Sequence, residues 1–552
     1  MSAPSFDYNI IQWVDWADAG FAYADAQIDP RTGEILHAQI FMTSVFAFSG
    51  KKRAKALLDR LLAHKEHSHY SLSDKTLDEL IEHVHSEKHS HKHSNISFSG
   101  LFKKEPMCNF EPSKSMVEGL THLIASTEDF DDSVYLKASQ DYVTETIAHE
   151  VGHTIGLSHN FISSARNRKS VMDYPHPLIK FSDNKIDLSD AYDHGIGDWD
   201  KLAINWGYRQ FDSDEKNQLN KILQEGYDQD IYFISDQDSR PASSAHPRSH
   251  LWDNGFDAAD ELNRMLDIRR HVLDNFLDRA IKDGEPMSSI EEVLVPMYLL
   301  HRYQIEAAAK VVGGLEYNYA LKGDGQVVTK MLPRDQQMKA LNSLLNSIDP
   351  KNLSLPEKLI ALIPPRAFGY PRTRETFNSR TGLTFDYLAA AETATNLTLK
   401  MLLNPDRASR LLTLKARNNN NQPGLTVILN EVINKTILNN LKNTNKNARL
   451  SNVEMEISKM VNHNVLNHLF MLANSTKTHQ EVNARVNNSL VNLKNELNNK
   501  TDNEYHYRYL SSKIDSFLAG KVDISFPDEL TPPDGSPIGS FMHSDLHCGS
   551  EL

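Results

Sequence analysis

The chain has 552 residues, 40% of them hydrophobic and 24% charged, which is a globular composition too long for one ordinary core. A formal net charge of -14, with no basic stripe, argues against nucleic acid as the main partner. Cys108 and Cys548 are the only cysteines, so neither a disulfide framework nor a C-x-x-C metal knuckle is supported, and no apolar run reaches the roughly 18 residues of an integral membrane segment.

In chain order, residues 1–20 lack the basic and apolar regions of a signal peptide. Residues 8–14, YNIIQWV, read as an apolar strand, with Phe21 to Tyr23 as a short successor. Asp29-Pro30-Arg31-Thr32-Gly33 is turn chemistry, and Glu34 to Phe41 is strand-like again. Between Lys51 and Asn95, helical patterns at Ala54–Leu62 and Leu77–Val84 are surrounded by histidines running from His64 to His93. Because they show no single ligand spacing, this His-rich insertion (about 64–95) reads as a solvated segment, with metal capture as the alternative.

From Val134 to Leu157, the positions Tyr135, Tyr142, Val143, Ile147, Val151 and Ile155 recur near helical spacing and predict a helix that buries that side. Within it begins the pattern H-E-x-x-H-x-x-G-x-x-H, made of His149, Glu150, His153, Gly156 and His159. Four residues apart on a helix, His149 and His153 point from one face toward a common place. Gly156 lets the backbone leave the helix sharply and bring round His159 as a third nitrogen ligand. Three imidazoles leave the fourth tetrahedral position of Zn²⁺ open, the mark of a catalytic rather than a structural ion. Glu150 turns its carboxylate toward the same cleft, where it suits a general base. Asn160 and Phe161 read as packing or loop-fixing residues.

Farther on, Asp193, Asp198 and Asp200 lack the pattern of an EF-type calcium loop and read as capping and salt-bridging groups. Residues 211–249 are polar and look like a linker or long loop. A mainly helical region spans 250–527, with patterns at Phe256–Ile281, Ile290–Val312, Arg334–Leu345, Tyr387–Leu402, Val427–Leu441, Val453–Ala473 and Glu481–Leu497. It offers no catalytic constellation, and residues 528–552 form a Pro/Gly tail.

Downstream of the histidines, Ser170-Val171-Met172-Asp173-Tyr174 resembles the Met-turn of metzincin peptidases. Together with Asp29–Leu36 and Tyr192–Tyr208, it makes the chain similar to large bacterial metzincin-type zinc-dependent metalloproteases with a long helical C-terminal region. The resemblance implies an α+β fold: a metzincin-like catalytic domain over 1–210, with a mixed twisted sheet and an active-site helix, then the helical domain. It also implies a strand and a long helix ahead of Tyr8, which this chain is expected to lack. The strand at 34–41 is expected to be the sheet edge bordering the cleft, where extended substrate adds by main-chain hydrogen bonds. Met172 is expected to pack beneath the ion without ligating it. Tyr174 is expected to stabilise the oxyanion, a plain packing tyrosine being the alternative. The expected activity is zinc-dependent endopeptidase, acting on protein or peptide substrates in a secreted or periplasmic setting. The alternative is a catalytically inactive zinc- or peptide-binding protein of the same fold; the retained Glu150 favours the enzyme. If the ligands are those three histidines, replacing residues 65–93 by a short linker leaves one tightly bound zinc per chain, as metal analysis of the folded variant will show.

Overall fold

Strands form first where the turn chemistry dictates. In the computed structural model, Asp29 accepts a hydrogen bond from the Arg31 amide at 2.9 Å, and Gly33 takes φ +75°, closing a hairpin between β2 (Phe21–Ile28) and β3 (Ile35–Thr43). β1 (Ile10–Val14) lies parallel to β3, and β4 (Cys108–Asn109) adds to β2, giving the order β1-β3-β2-β4. β3 is therefore an interior strand. Residues 39–42 pair with β1 on one side and with β2 on the other, which overturns the expectation of a free edge along this part of the strand. The cause is the parallel strand β1, whose partner is not readable from its own pattern.

The structure describes residues 7–14, 21–43, 108–109, 132–174, 177–275, 281, 284–370, 376–418, 421–439, 450–500, 505–520 and 530–532. The His-rich insertion at 64–95 lies outside these. Helix α1 (Asp132–Thr154) packs across β2 and β3, and beyond it comes a small β5–β6 hairpin (Lys180–Ser182, Lys185–Asp187). Apart from one more short hairpin, the regular structure of the described residues is otherwise helical, so the α+β class holds with helix in the majority. Among the described residues, no helix is long and apolar enough to cross a membrane.

Residues 211–249, expected as a linker or long loop, prove to be a built part of the fold. They follow α2 (Asp198–Tyr208) and hold α3 (Glu215–Asp228) and the single turn α4 (Asp236–Ser239). Ile222, Ile231, Ile234, Ser239 and Ser249 are all buried. The segment from 229 to 250 is a strap, anchored by the apolar side chains of Ile231, Phe233 and Ile234 at one end and by its backbone carbonyls farther on.

Those carbonyls meet cations from the helical region. After α5 (Ala258–Asp274) and α6 (Ile290–Tyr298), helix α7 (Arg302–Val311) supplies Lys310, whose Nζ donates to Ser249 O at 3.0 Å and to Ser239 O. A β7–β8 hairpin (Leu315–Tyr317, Thr329–Met331) and α8 (Arg334–Ser347) follow, then α9 (Tyr387–Leu402) and α10 (Pro405–Arg417). From α10, Arg407 donates to Ala242 O at 3.0 Å, and Arg410 donates to Ser243 O at 2.8 Å and Ser244 O at 3.2 Å. The helices α11 (Gly424–Lys435), α12 (Asn452–Ala473), α13 (Gln480–Lys500) and α14 (Tyr505–Leu518) complete the array. One apolar cluster runs from Ala22 and Met42 on the sheet through Leu262, Leu344 and Leu399 to Ile514.

Burial pushes the Lys310 ammonium below its ordinary pKa, and the charge of Glu306, one turn earlier on α7, opposes that shift. Burial likewise raises the Glu306 carboxyl, against the cations Lys310, Arg302 and Arg407. Removing one member of a buried charge set leaves the other uncompensated, at a cost of about 3–5 kcal/mol. Lys310→Met should therefore lower the denaturation midpoint strongly, and adding Glu306→Gln should recover part of the loss, as paired melts will show.

Candidate metal centre

The inward side of α1 is polar. Asp141, Tyr142, Glu145, Thr146, His149 and Glu150 are buried at helical spacing, whereas Val151 is 40% exposed and Val143 and Ile147 are half-buried. The apolar stripe expected to mark the buried side thus does not do so below Tyr142. The side facing the rest of the site is the one that carries the ligands. Gly156, at φ +89°, ends the helix, with its amide on His153 O at 3.0 Å and the Leu157 amide on Gly152 O at 3.0 Å.

This reversal places the Leu157 carbonyl 2.8 Å from His153 Nδ1. His149 Nδ1 lies 2.6 Å from Val171 O, and His159 Nδ1 lies 2.9 Å from a carboxylate oxygen of Asp236. All three partners are acceptors, so each Nδ1 is assigned the hydrogen and each Nε2 keeps its lone pair. The ligand atoms of His149, His153 and His159 lie within 4.8 Å of one another, and the Nε2 atoms of His149 and His153 are 3.0 Å apart. Lone pairs at that separation repel unless a cation lies between them. The donor set therefore fits a metal ion bound by three neutral imidazoles, and zinc suits it by ligand type.

Neutrality is enforced by the surroundings. Burial, then the proximity of His153 and His159, holds His149 well below the ordinary imidazole pKa. Burial and His159 bring His153 down to about 4. Burial lowers His159 as well, although Asp236 opposes the shift.

The turn beneath the histidines is fixed by one carboxylate. Asp200, on the first turn of α2, is 1% exposed and accepts from Ser170 Oγ at 2.6 Å, Val171 N at 2.9 Å and Gly197 N at 2.7 Å. It thus caps its own helix and holds the residue whose carbonyl orients His149. Met172 is wholly buried against α1, so close that a Cβ on Gly152 would lie 2.2 Å from its Sδ. A small cluster of Val171, Met172, Trp199 and Ile231 packs there. The Asp173 carboxylate accepts from Ser164 N, Ser163 Oγ and Tyr174 N, and burial raises it to about 7 against those hydrogen bonds.

Tyr174 brings its ring beside two of the histidines, with centroids 5.0 Å from His159 and 5.8 Å from His149, and rests on Trp252 at 4.7 Å. Its hydroxyl accepts from Arg240 Nη2 at 2.6 Å. Arg240 also binds Asp236, the residue on His159, and its guanidinium lies 5.2 Å from the Tyr174 ring centre. Burial disfavours the Arg240 cation, but Tyr174 and Asp236 outweigh burial and raise its pKa. Burial disfavours the Asp236 anion too, yet His159 and Arg240 hold its carboxyl below the ordinary range.

The structure brings together the sequence-predicted His149, His153 and His159, keeps Glu150 fully buried in the same helix, and sets Tyr174 edge-on against His159. Asn160 fixes the strap as a loop-holding residue: its amide accepts from Ile234 N at 3.1 Å and donates to Tyr232 O at 2.9 Å. Sequence reasoning missed Asp236 and Arg240. Their i, i+4 spacing on one turn was the only local signal, and their partners lie 77 and 66 residues away. Asp200 was read as a cap, which it is, but its hold on the Met172 turn was not foreseen.

A family model described as Met-zincin matches residues 131–445, from the start of α1 past the end of α11. No curated protein and no solved structure matches the chain.

Asp200→Asn exchanges one acceptor oxygen for a donor that faces other donors. The loss of charged hydrogen bonds at a buried site should cost about 1–3 kcal/mol. With Val171 released, zinc affinity measured by chelator competition should fall as well.

Proposed function

Because this chain belongs to the Met-zincin family, a metallopeptidase-like class, we propose that it is a zinc-dependent endopeptidase whose metal is held by His149, His153 and His159. The observation that carries the reading is the convergence of three imidazole Nε2 atoms, each with its Nδ1 on an acceptor. A zinc ion bound there supplies Lewis-acid polarisation of a scissile carbonyl and acidification of water.

The chain's own residues do the rest. Glu150, adjacent to His149 and completely buried, takes the proton of the attacking water and returns it to the leaving nitrogen. Burial removes competing solvent from that carboxylate, which suits a group that must both accept and give a proton. Tyr174 donates from its hydroxyl to the oxyanion that forms as the carbonyl is attacked. The substrates are peptide bonds in protein or peptide chains, and the proposed setting is secreted or periplasmic, as the sequence resemblance implies. Extended substrate cannot add along residues 39–42 of β3, where both flanks are paired.

Glu150→Gln separates catalysis from ligation. It keeps the side-chain size and leaves the three imidazoles untouched, so zinc should stay at one per chain. Hydrolysis of an unstructured protein should fall by at least about 100-fold, since general-base catalysis typically contributes 10² to 10⁴. Equal cleavage by variant and wild type would remove Glu150 from the mechanism. A zinc-loaded wild type that cleaves nothing would leave a binding protein of the same fold.

A further inference from the structure

Two charged side chains on the strap meet the metal centre without belonging to its recognised pattern. Asp236 and Arg240 stand one helical turn apart at α4, and the side chain of Asp236 touches both His159 and Arg240. Arg240 in turn reaches the Tyr174 hydroxyl at 2.6 Å and lies over the rings of Tyr174 and Phe161, at 5.2 and 5.5 Å. The result is an unbroken chain of contacts: His159 imidazole, Asp236 carboxylate, Arg240 guanidinium, Tyr174 phenol.

We propose that Asp236 and Arg240 are positioning residues that couple the third metal ligand to the tyrosine, Asp236 setting the orientation of His159 and Arg240 setting that of the Tyr174 hydroxyl. This inference rests on the endopeptidase reading for its kinetic half only.

The geometry gives each residue a distinct task. The Asp236 carboxylate accepts from His159 Nδ1 on one oxygen, Oδ2, and from Arg240 Nε on the other, Oδ1. Fixing the Nδ1 hydrogen selects the tautomer whose Nε2 carries the lone pair, and an anionic partner makes that lone pair more basic. The Nδ1 atoms of the other two ligands rest on backbone carbonyls, whereas that of His159 rests on a carboxylate. Arg240 donates to the phenol oxygen, so the phenol acts toward substrate as a donor, and a cation at its oxygen makes its hydrogen a stronger donor to an oxyanion. The planar fork of Arg240 reaches both partners at once, which a lysine cannot reproduce.

The test combines metal affinity with kinetics on the full chain. Zinc affinity is measured by chelator competition, and kcat and KM on an unstructured protein, for Asp236→Asn, Arg240→Met, Arg240→Lys, Tyr174→Phe and the double variant Arg240→Met with Tyr174→Phe. Asp236→Asn should weaken zinc binding about 10- to 100-fold, as for loss of a ligand's orienting partner. Arg240→Met should keep zinc affinity within about 3-fold yet lower kcat about 10- to 100-fold with KM little changed, and Arg240→Lys should not restore it. Since Arg240 acts through the phenol, adding Arg240→Met to Tyr174→Phe should cost less than about 3-fold more. Additive losses in the double variant, or an unchanged kcat in Arg240→Met, would overturn the role of Arg240. Unchanged zinc affinity in Asp236→Asn would overturn that of Asp236. If wild type cleaves nothing, the endopeptidase reading and the kinetic half fall together, while the zinc titration of Asp236→Asn still decides the other half.

Discussion

Three lone pairs directed at one place are the constraint on which this structure is built. Neutral imidazoles do not gather in this way of their own accord, and each must be held at its far nitrogen. His153 is held by the chain's own exit from α1, His149 by the turn at Val171, and His159 by Asp236 on the strap. These holds become progressively less local in sequence, and each needs a further support. Asp200 fixes the turn; Asn160 and the cations of the helical region fix the strap. Desolvation adds to the same end, since it keeps the rings uncharged.

The helical region is thereby more than a brace. Lys310, Arg407 and Arg410 donate to backbone oxygens of the strap, and those of the buried Ser239, Ser244 and Ser249 must be satisfied by something. Cationic donors make stronger bonds than neutral ones, and they can reach from rigid helices to an irregular segment without imposing a strand or helix on it. The family match shows the same continuity, passing without a break from the ligand helix into these helices.

What could be read from the sequence was what is local. His149, Glu150, His153, Gly156 and His159 fall within a few turns of one helix and its exit, so spacing alone places them near one another. The turn at Asp29–Gly33 was legible for the same reason, through a proline and a glycine whose dihedral preferences act locally. The edge expected at β3 came from the family resemblance, and its neighbour β1 could not correct it, since a parallel pairing leaves no turn between its strands to announce it. Residues 211–249 read as a linker or long loop because many contacts of the strap run through carbonyls, which every residue has and no composition reveals. The buried side of α1 was misassigned at Val151 because a polar interior defeats a rule that equates buried with apolar.

The clamp on the strap also sets an order in time. A ribosome releases the chain from its N-terminus, so the histidines emerge long before Arg407 and Arg410. Until α10 has been made and has docked, the carbonyls of residues 242–244 lack those donors, and the stretch bearing Asp236 is not yet pinned at its far end. A nascent chain therefore carries its histidines early and completes their support late, which confines the finished centre to chains extended through α10.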